Sequence, residues 1–277
     1  MENNEKNFET LLYEGYIRRF KEKRLFETDS KIPINLIKFY LDNQKEKVPK
    51  KVYDNFKTKY IYCENVTEGV NVTLSEVKSI VKNNIKGHIK EEVHGLADVY
   101  DYIQNYDFEK MYNFSIYTLM LIHRILYSHT PYPDAAGKFR TMNARISYSD
   151  VRLEEYTLIS RRMADLFFEF KEILNIKDNT EEYIKRSIRL HATLIQIHPF
   201  SDGNGRSTRA LMNLLFAYIK LPPVYVKIEE KQKYCKALEE AIVDNNSQKL
   251  EQFFMYKIVN AIIETNKDFS KEAINIL

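Results

Sequence analysis

Glycine and proline are scarce in this sequence. The 277 residues include only seven glycines and seven prolines, so few positions force a turn or stop a helix. Between these positions apolar residues recur at three- and four-residue spacing, as in Leu211, Leu214 and Leu215. This spacing places them on one face of an α-helix. The sequence therefore predicts an all-α fold.

One segment departs from the helical pattern. Residues 132–149 contain turn-forming residues and then a short alternation of positions around Phe139, Met142 and Ile146. Alternation with a period of two is typical of a strand, so we expect a small β-hairpin here. No fixed-period repeat and no low-complexity linker divides the chain, and we place a boundary near residue 110. We expect an N-terminal helical region over 1–110 and a core over 111–277.

The composition is that of an ordinary globular protein. Hydrophobic residues make up 44% and charged residues 29%, which excludes the disordered and the membrane classes. No apolar run is long enough to span a bilayer. The first residues lack the basic and apolar stretches of a secretory signal, so we expect the mature chain to begin near Met1.

Cysteine usage and charge narrow the function classes further. The two cysteines, Cys63 and Cys235, have no paired spacing, so the sequence predicts neither a disulfide framework nor a zinc site and favours a cytoplasmic location. The net charge of +3 comes from 42 basic and 39 acidic residues, with both signs interspersed. Such a balance argues against a nucleic-acid partner.

A short polar motif lies between two helix-like segments. Residues 198–209 read HPFSDGNGRSTR. Gly203 and Gly205 flank Asn204 directly before the second predicted helix, where backbone amides have no partner within the helix and point outward. Such a turn is a cradle for an anion.

The charged residues of the motif suit phosphate chemistry. Arg206 and Arg209 are three positions apart, so both guanidinium groups fall on about the same side of the helix, within reach of a polyphosphate. Asp202 precedes the cradle and could hold a divalent cation against the same phosphates. His198, at the start of the loop, suits a general base that acts on a hydroxyl.

These residues, in this order, resemble the signature of the Fic (filamentation induced by cAMP) family, HPFx(D/E)GN(G/K)R with a second arginine three residues later. Every position is present. The resemblance implies a protein adenylyltransferase in which His198 deprotonates a Ser, Thr or Tyr hydroxyl of a target protein. The hydroxyl then attacks the α-phosphate of ATP and expels pyrophosphate.

The resemblance also implies binding roles. It assigns Asp202 to Mg²⁺ or Mn²⁺, the amides of residues 203–205 to phosphate, Arg206 to the β-phosphate, Arg209 to the γ-phosphate, and Tyr234 or its neighbours to the adenine.

The similarity to the family extends over roughly residues 110–260. Within it, residues 137–140, GKFR, look like the flap that binds the main chain of the target by strand addition. The implied fold is a helical core with this small hairpin flap.

The N-terminal region carries two helix-end signals. Thr73 and Glu76 have the spacing of a capping box, which predicts that a helix begins there. Just upstream, Glu68 and Gly69 indicate the end of the preceding helix, because glycine readily adopts the left-handed conformation.

Glu68 and Gly69 also match the end of the family's inhibitory pattern, (S/T)xxxE(G/N). Glu64 occupies the position where Ser or Thr is usual. The resemblance implies that Glu68 forms an ion pair with Arg209 and restrains the enzyme.

Several alternatives stay open. The same fold could transfer another nucleotide or phosphate group, or remove AMP from modified targets. A non-catalytic nucleotide-sensing module is a rival of a different class, although pure binding would not need His198. We interpret His191 as a hydrogen-bonded core residue in preference to a metal ligand. Self-modification and homo-oligomer formation stay open as well.

Overall fold

A computed structural model of the protein describes residues 32–42, 50–83, 91–132, 134–147 and 149–265. The predicted N-terminal region is therefore described only in part. The α-helices of the described residues are α1 Ile32–Asp42, α2 Lys50–Thr67, α3 Leu74–Asn83, α4 Glu91–Gln104, α5 Ile116–Leu126, α6 Ile159–Asp165, α7 Phe167–Asn175, α8 Thr180–Ile197, α9 Asn204–Tyr218, α10 Lys231–Val243 and α11 Gln248–Thr265. Short 3₁₀-helices cover Phe108–Asn113, Tyr156–Leu158 and Ile228–Glu230.

Helix α9 is the centre of the fold. All of its residues from 206 to 216 are buried, as expected of a helix that neighbours enclose on every side. Helices α8, α5 and α4 pack against it. Because the motif loop leads directly into this helix, its first turn is held on several sides by the core.

Helices α4 and α5 approach each other closely at Gly95. A Cβ atom added at Gly95 would lie 1.9 Å from the carbonyl oxygen of Leu126, the last residue of α5. Only glycine therefore fits at this crossing. The close approach fixes the end of α5, which faces the motif loop.

The predicted helix ends near residue 70 are confirmed. Helix α2 ends at Thr67, and Gly69 has a φ of 88°. The capping box is formed as well, because the Thr73 amide donates to Glu76 Oε2 at 2.7 Å and the Glu76 amide donates to Thr73 Oγ1 at 3.3 Å. A third bond, from Thr67 Oγ1 to the Val226 carbonyl at 3.0 Å, ties the end of α2 to the segment after α9.

The predicted all-α fold is confirmed, but the hairpin is not. Within residues 134–147 and 149–155 the chain forms turns and extended stretches without a strand. Strands of a hairpin must exchange backbone hydrogen bonds. Here the Arg140 guanidinium lies between the two arms and donates to the carbonyls of Met142 and Glu154. The backbone amides of Arg140 and Glu154 donate instead to the carbonyls of Pro199 and Gln196, at 2.8 and 3.1 Å.

None of the helices in the described ranges combines the length and the apolar character needed to cross a membrane.

Replacement of Gly95 tests the α4–α5 crossing. We expect Gly95→Ala to lower the free energy of unfolding by about 2–3 kcal/mol, because the new methyl group overlaps the Leu126 carbonyl. Urea denaturation measures this loss. Gly69→Ala is the control: no atom lies within 4 Å of its Cβ, so only the left-handed backbone costs energy, about 1 kcal/mol. An equal loss in the two variants would contradict the close crossing.

Candidate active site

The loop between α8 and α9 is closed by left-handed residues and one amide side chain. His198, the residue after α8, has a φ of 51°, and Gly203, the residue before α9, has a φ of 70°. Asn204 bridges the loop, because its Oδ1 accepts from the Phe200 amide at 2.9 Å and its Nδ2 donates to the Phe200 carbonyl at 2.8 Å. A left-handed histidine costs energy, and these bonds help to hold it in place.

The two motif glycines are required by the space around them. A Cβ at Gly203 would lie 2.5 Å from Tyr127 Cε2, and a Cβ at Gly205 would lie 2.4 Å from Glu68 Oε1. Tyr127 and Glu68 can approach the turn at the N-terminus of α9 this closely only because both residues lack a side chain. Such a turn exposes backbone amides to an anion.

His198 is held in the tautomer that leaves its outer nitrogen free to accept a proton. Its Nδ1 lies 3.2 Å from the Ile195 carbonyl, and a carbonyl only accepts, so Nδ1 carries the hydrogen. Burial lowers the pKa of His198 below its ordinary value. The imidazole is therefore neutral near pH 7, and Nε2 can act as a base.

Asp202 is kept ionised beside the cradle. Burial raises the pKa of its carboxyl, but hydrogen bonds from Tyr127 and from the Gly203 amide, together with the charge of Arg206, outweigh burial and lower it. The Gly203 amide donates to Asp202 Oδ1 at 2.6 Å. An anionic carboxylate at this point fits Mg²⁺, which binds through one or two carboxylates plus phosphate oxygens. Among the described residues no larger group of metal-ligating side chains is assembled.

Arg206 has hydrogen-bond donors that no described residue accepts. Its Nη2 donates to the Tyr127 hydroxyl at 3.4 Å. Its Nε and Nη1 are buried without a hydrogen-bond partner in the described part of the chain. Buried donors on a guanidinium are costly unless paired. Because Nε and Nη1 of Arg206 lie beside the cradle, they suit the binding of a phosphate group.

Arg209 lies between two carboxylates of the N-terminal region. Its Nη2 donates to Glu68 Oε1 at 2.6 Å, and its Nε donates to Glu64 Oε2 at 2.7 Å. The Glu68–Arg209 ion pair that the sequence predicts is thus present, while its inhibitory role stays a prediction. The Glu64 pair is unexpected. A signal existed in the sequence, because residues four apart share one helix face.

The two carboxyls have different environments. Burial raises the pKa of Glu64, although the charge of Arg209 opposes it. For Glu68, burial also raises the pKa, but the charges and hydrogen bonds of Arg209 outweigh it and lower the pKa. Burial disfavours the Arg209 cation, yet the two carboxylates raise its pKa further, so Arg209 stays charged.

Tyr234 lies next to Arg209. The guanidinium carbon is 5.7 Å from the centre of the Tyr234 ring. The Tyr234 hydroxyl lies 2.8 Å from His191 Nε2. His191 is 1% exposed, so its interpretation as a hydrogen-bonded core residue is confirmed. The assignment of Tyr234 to the adenine stays a prediction.

Sequence reasoning missed three residues that hold the loop. His123 Nε2 donates to the Asp202 carbonyl at 3.0 Å, and its Nδ1 accepts from the Gly137 amide at 2.8 Å. Tyr127 contacts Asp202 and Arg206. Arg140 Nε donates to the His198 carbonyl at 2.7 Å. The position of His123 among apolar residues of a predicted helix is the one feature of the sequence that could have pointed to this network.

Comparison with known proteins identifies the domain. Residues 113–216 match the profile of the Fic/DOC family. Residues 113–216 therefore form a Fic domain. Solved structures agree in fold: Fic-1 (residues 134–508) from Caenorhabditis elegans has a TM-score of 0.67 at 19% identity and is matched over 93% of this chain and 73% of its own. A Fic domain containing signaling protein from Bacteroides thetaiotaomicron also has a TM-score of 0.67, at 18% identity, over 82% of this chain and 94% of its own.

Relatives whose names include an activity match this chain over a smaller part of their own length. This Fic domain protein is 28% identical over 188 residues to the protein adenylyltransferase Fic of Nematostella vectensis, a match that covers 66% of this chain and 42% of the relative. It is 27% identical over 191 residues to the protein adenylyltransferase fic-1 of Caenorhabditis briggsae, covering 66% of this chain and 36% of the relative. The chain therefore spans less than half the length of these relatives.

The buried histidine of the site predicts how stability changes with pH. Burial lowers the pKa of His191 to about 3, against about 6.5 in an unfolded chain. The unfolded state binds the extra proton between these values, so wild type loses stability as pH falls from 6.5 towards 3. At pH 5 the loss from this group is about 2 kcal/mol.

We expect His191→Gln to remove that part of the pH dependence. The measurement is the free energy of unfolding in urea at pH 7 and at pH 5. The difference between the two pH values should shrink by about 2 kcal/mol in the variant. His129→Gln, at a histidine whose side chain is 43% exposed, controls for the loss of a histidine. An unchanged difference in His191→Gln would show that this residue does not titrate as its burial indicates.

Proposed function

We propose that this Fic domain protein is a protein adenylyltransferase that transfers AMP from ATP to Ser, Thr or Tyr hydroxyls of target proteins and is restrained by Glu68. The observation that carries the proposal is that Nε and Nη1 of Arg206 are buried beside the N-terminus of α9 with no hydrogen-bond partner among the described residues. Free donors and outward amides in one place favour a polyphosphate ligand. Relatives named protein adenylyltransferase support the activity at the level of the family.

The transfer step assigns one proton movement to His198. Its Nε2 takes the proton of the target hydroxyl, and the oxygen bonds to the α-phosphorus while the bond to the bridging oxygen of pyrophosphate breaks. A neutral imidazole whose Nδ1 is held by Ile195 is suited to this role. The proton stays on His198 until product release, and the pyrophosphate leaves with the electron pair.

The remaining contribution is positioning and charge. The amides of residues 203–205 and the free donors of Arg206 would hold the phosphates in line for attack. Asp202 would hold a Mg²⁺ or Mn²⁺ ion, which would supply positive charge against the departing pyrophosphate. Tyr127 and His123 keep Asp202 beside the cradle through the contacts described above.

Glu68 would restrain this reaction by occupying the place of a phosphate. Its Oε1 lies where a Cβ of Gly205 would be only 2.4 Å away, directly at the cradle. A carboxylate here repels a phosphate and engages Arg209, the residue assigned to the γ-phosphate. On this proposal the region 1–110 is regulatory and the region 111–277 is catalytic.

Target binding would use the segment in place of the hairpin. Residues 138–140 and 143–146 run without helix or turn, close to His198 through the Arg140 bonds. Strand addition by a target peptide along this segment would bring its hydroxyl towards His198. Self-modification of this chain would follow if one of its own hydroxyl residues reached the same place.

Removal of AMP from modified proteins is a second candidate. The pKa of Glu68 is lowered, so its side chain is an anionic carboxylate, and it lies beside the motif loop. Such a group can orient a water molecule for attack on a phosphodiester. Release of AMP from a modified target by wild type, lost in Glu68→Gly, would favour this function over the first.

Labelled ATP tests the main proposal. Wild type, Glu68→Gly and Glu68→Gly/His198→Ala are incubated with Mg²⁺ and ATP labelled at the α- or γ-phosphate, with and without a cell lysate as a source of targets. We expect α-label on protein, at least about tenfold more in Glu68→Gly than in wild type, because removal of the carboxylate frees the γ-phosphate position. The histidine variant should transfer none.

Other outcomes discriminate between the alternatives. Label from the γ-phosphate alone would indicate phosphoryl transfer. Thermal stabilisation by ATP with no labelled product in any variant would favour a nucleotide-sensing module. Absence of both transfer and ATP binding would refute the proposed nucleotide chemistry.

Arg206 offers a test that separates binding from folding. In the Glu68→Gly background, Arg206→Met should abolish the rise in Tm that ATP causes. Without nucleotide the same variant should be as stable or more stable by about 1 kcal/mol, because two buried unpaired donors are removed. Arg206→Lys, which retains the charge, is the matched control. A loss of stability with ATP binding intact would contradict a phosphate role for Arg206.

A further inference from the structure

Glu64 and Glu68 both bind Arg209, but they differ in burial and in the element that carries them. Glu64 lies within α2, its side chain is 0% exposed, and its Oε2 accepts from Arg209 Nε at 2.7 Å. Glu68 lies beyond the end of α2, and its side chain is 31% exposed. One carboxylate is built into a helix, and the other sits on a turn at the surface.

Glu64 cannot leave Arg209 unless α2 moves. Ile61 and Asn65, on either side of it, are 0% exposed, and Thr67 ties the end of the helix to Val226. Glu68 is followed by Gly69, whose Cβ would meet no atom within 4 Å, so the turn has room to move. Displacement of Glu68 alone therefore leaves the Glu64–Arg209 pair in place.

The charge at Arg209 follows from this difference. With both carboxylates ionised, the group of three carries one negative charge in excess. When Glu68 moves away, Glu64 still neutralises the guanidinium, so the group is neutral and not cationic. A neutral ion pair attracts an additional phosphate much less than a free cation does.

Glu64 also fixes which edge of Arg209 faces the cradle. It binds Nε, so that the outer nitrogens point to the cradle: Nη2 bonds Glu68, and Nη1 lies where a Cβ of Gly205 would be 2.9 Å away. The same contact thus orients the guanidinium and removes its net charge. These two effects can be separated by substitution.

We propose that Glu64 is a positioning and specificity-determining residue for the nucleotide: it orients Arg209 towards the terminal phosphate and, by neutralising it, makes the site discriminate weakly between a nucleoside triphosphate and a diphosphate. The inference rests on the proposed nucleotide site and deepens it. Where the family pattern has Ser or Thr, an uncharged residue would leave Arg209 cationic once the inhibitory glutamate moves. In this chain the cation is balanced permanently.

The test is nucleotide binding by calorimetry in the Glu68→Gly/His198→Ala background, which removes the restraint and prevents turnover. Kd is measured for ATP and for ADP with Mg²⁺. In this parent we expect the two Kd values to agree within about threefold, because Arg209 carries no net charge to favour the third phosphate. Addition of Glu64→Gln, which keeps an acceptor for Arg209 Nε and removes the charge, should tighten ATP binding by about tenfold or more and ADP binding by less than about threefold.

Two further variants complete the design. Glu64→Thr removes the charge and the acceptor at Nε together, so ATP binding should tighten less than in Glu64→Gln, and this variant also serves if Glu64→Gln fails to fold. Asp54→Asn removes one exposed negative charge from the same helix, and it should change neither Kd by more than about twofold. Thermal unfolding confirms that each variant is folded.

The outcomes separate this inference from the function on which it rests. A larger ATP preference in Glu64→Gln, absent in Asp54→Asn, supports it. Binding of ATP by the parent with an unchanged ATP-to-ADP ratio in both Glu64 variants overturns the role of Glu64 and leaves the proposed function standing. Absence of any nucleotide binding in every variant overturns the proposed function and this inference with it.

Discussion

The buried guanidinium of Arg209 is the charge around which the rest of the site is arranged. Arg209 belongs to α9, the most enclosed helix, and a buried cation of this kind is strongly destabilising unless it is paired and hydrogen-bonded. Its partners, Glu64 and Glu68, come from α2 and the turn that follows it. The N-terminal helices are therefore not packed independently of the core that contains α9. Their position supplies the counter-charge without which the first turns of α9 could not be buried.

The same helix places the reacting groups. The loop that enters α9 is strained at His198 and closed by the Asn204 side chain, and it is held from outside by Arg140 and His123. Preorganised donors of this kind cost little reorganisation when charge develops on a ligand. The motif loop is thus held by hydrogen bonds on several sides, whereas the turn that carries Glu68 has free space around Gly69.

Local sequence features predicted some elements of the molecule and not others. The periodicity around Leu211 predicted a helix, and the spacing of Thr73 and Glu76 predicted a cap, because both features depend on neighbours within four residues. The hairpin was not confirmed, because the alternation around Phe139 does not reveal that Arg140 binds the carbonyls of its own segment. Glu64 looked like a missing hydroxyl in a pattern, yet it is a second counter-ion of Arg209.

The sequence by itself determined the all-α class, the helix ends near residue 70, the motif of residues 198–209 and the chemical character of its residues, since each is encoded in short stretches of chain. Only the tertiary structure decided which charges meet. Arg209 and Glu64 are 145 residues apart in the sequence, and their contact exists because two distant helices are brought together by the packing of the core. The same holds for His123 and Tyr127, which contact Asp202 although they precede it in the sequence by 79 and 75 residues. Packing, with the cost of leaving a buried charge unpaired, selects these partners, and no local pattern records that cost.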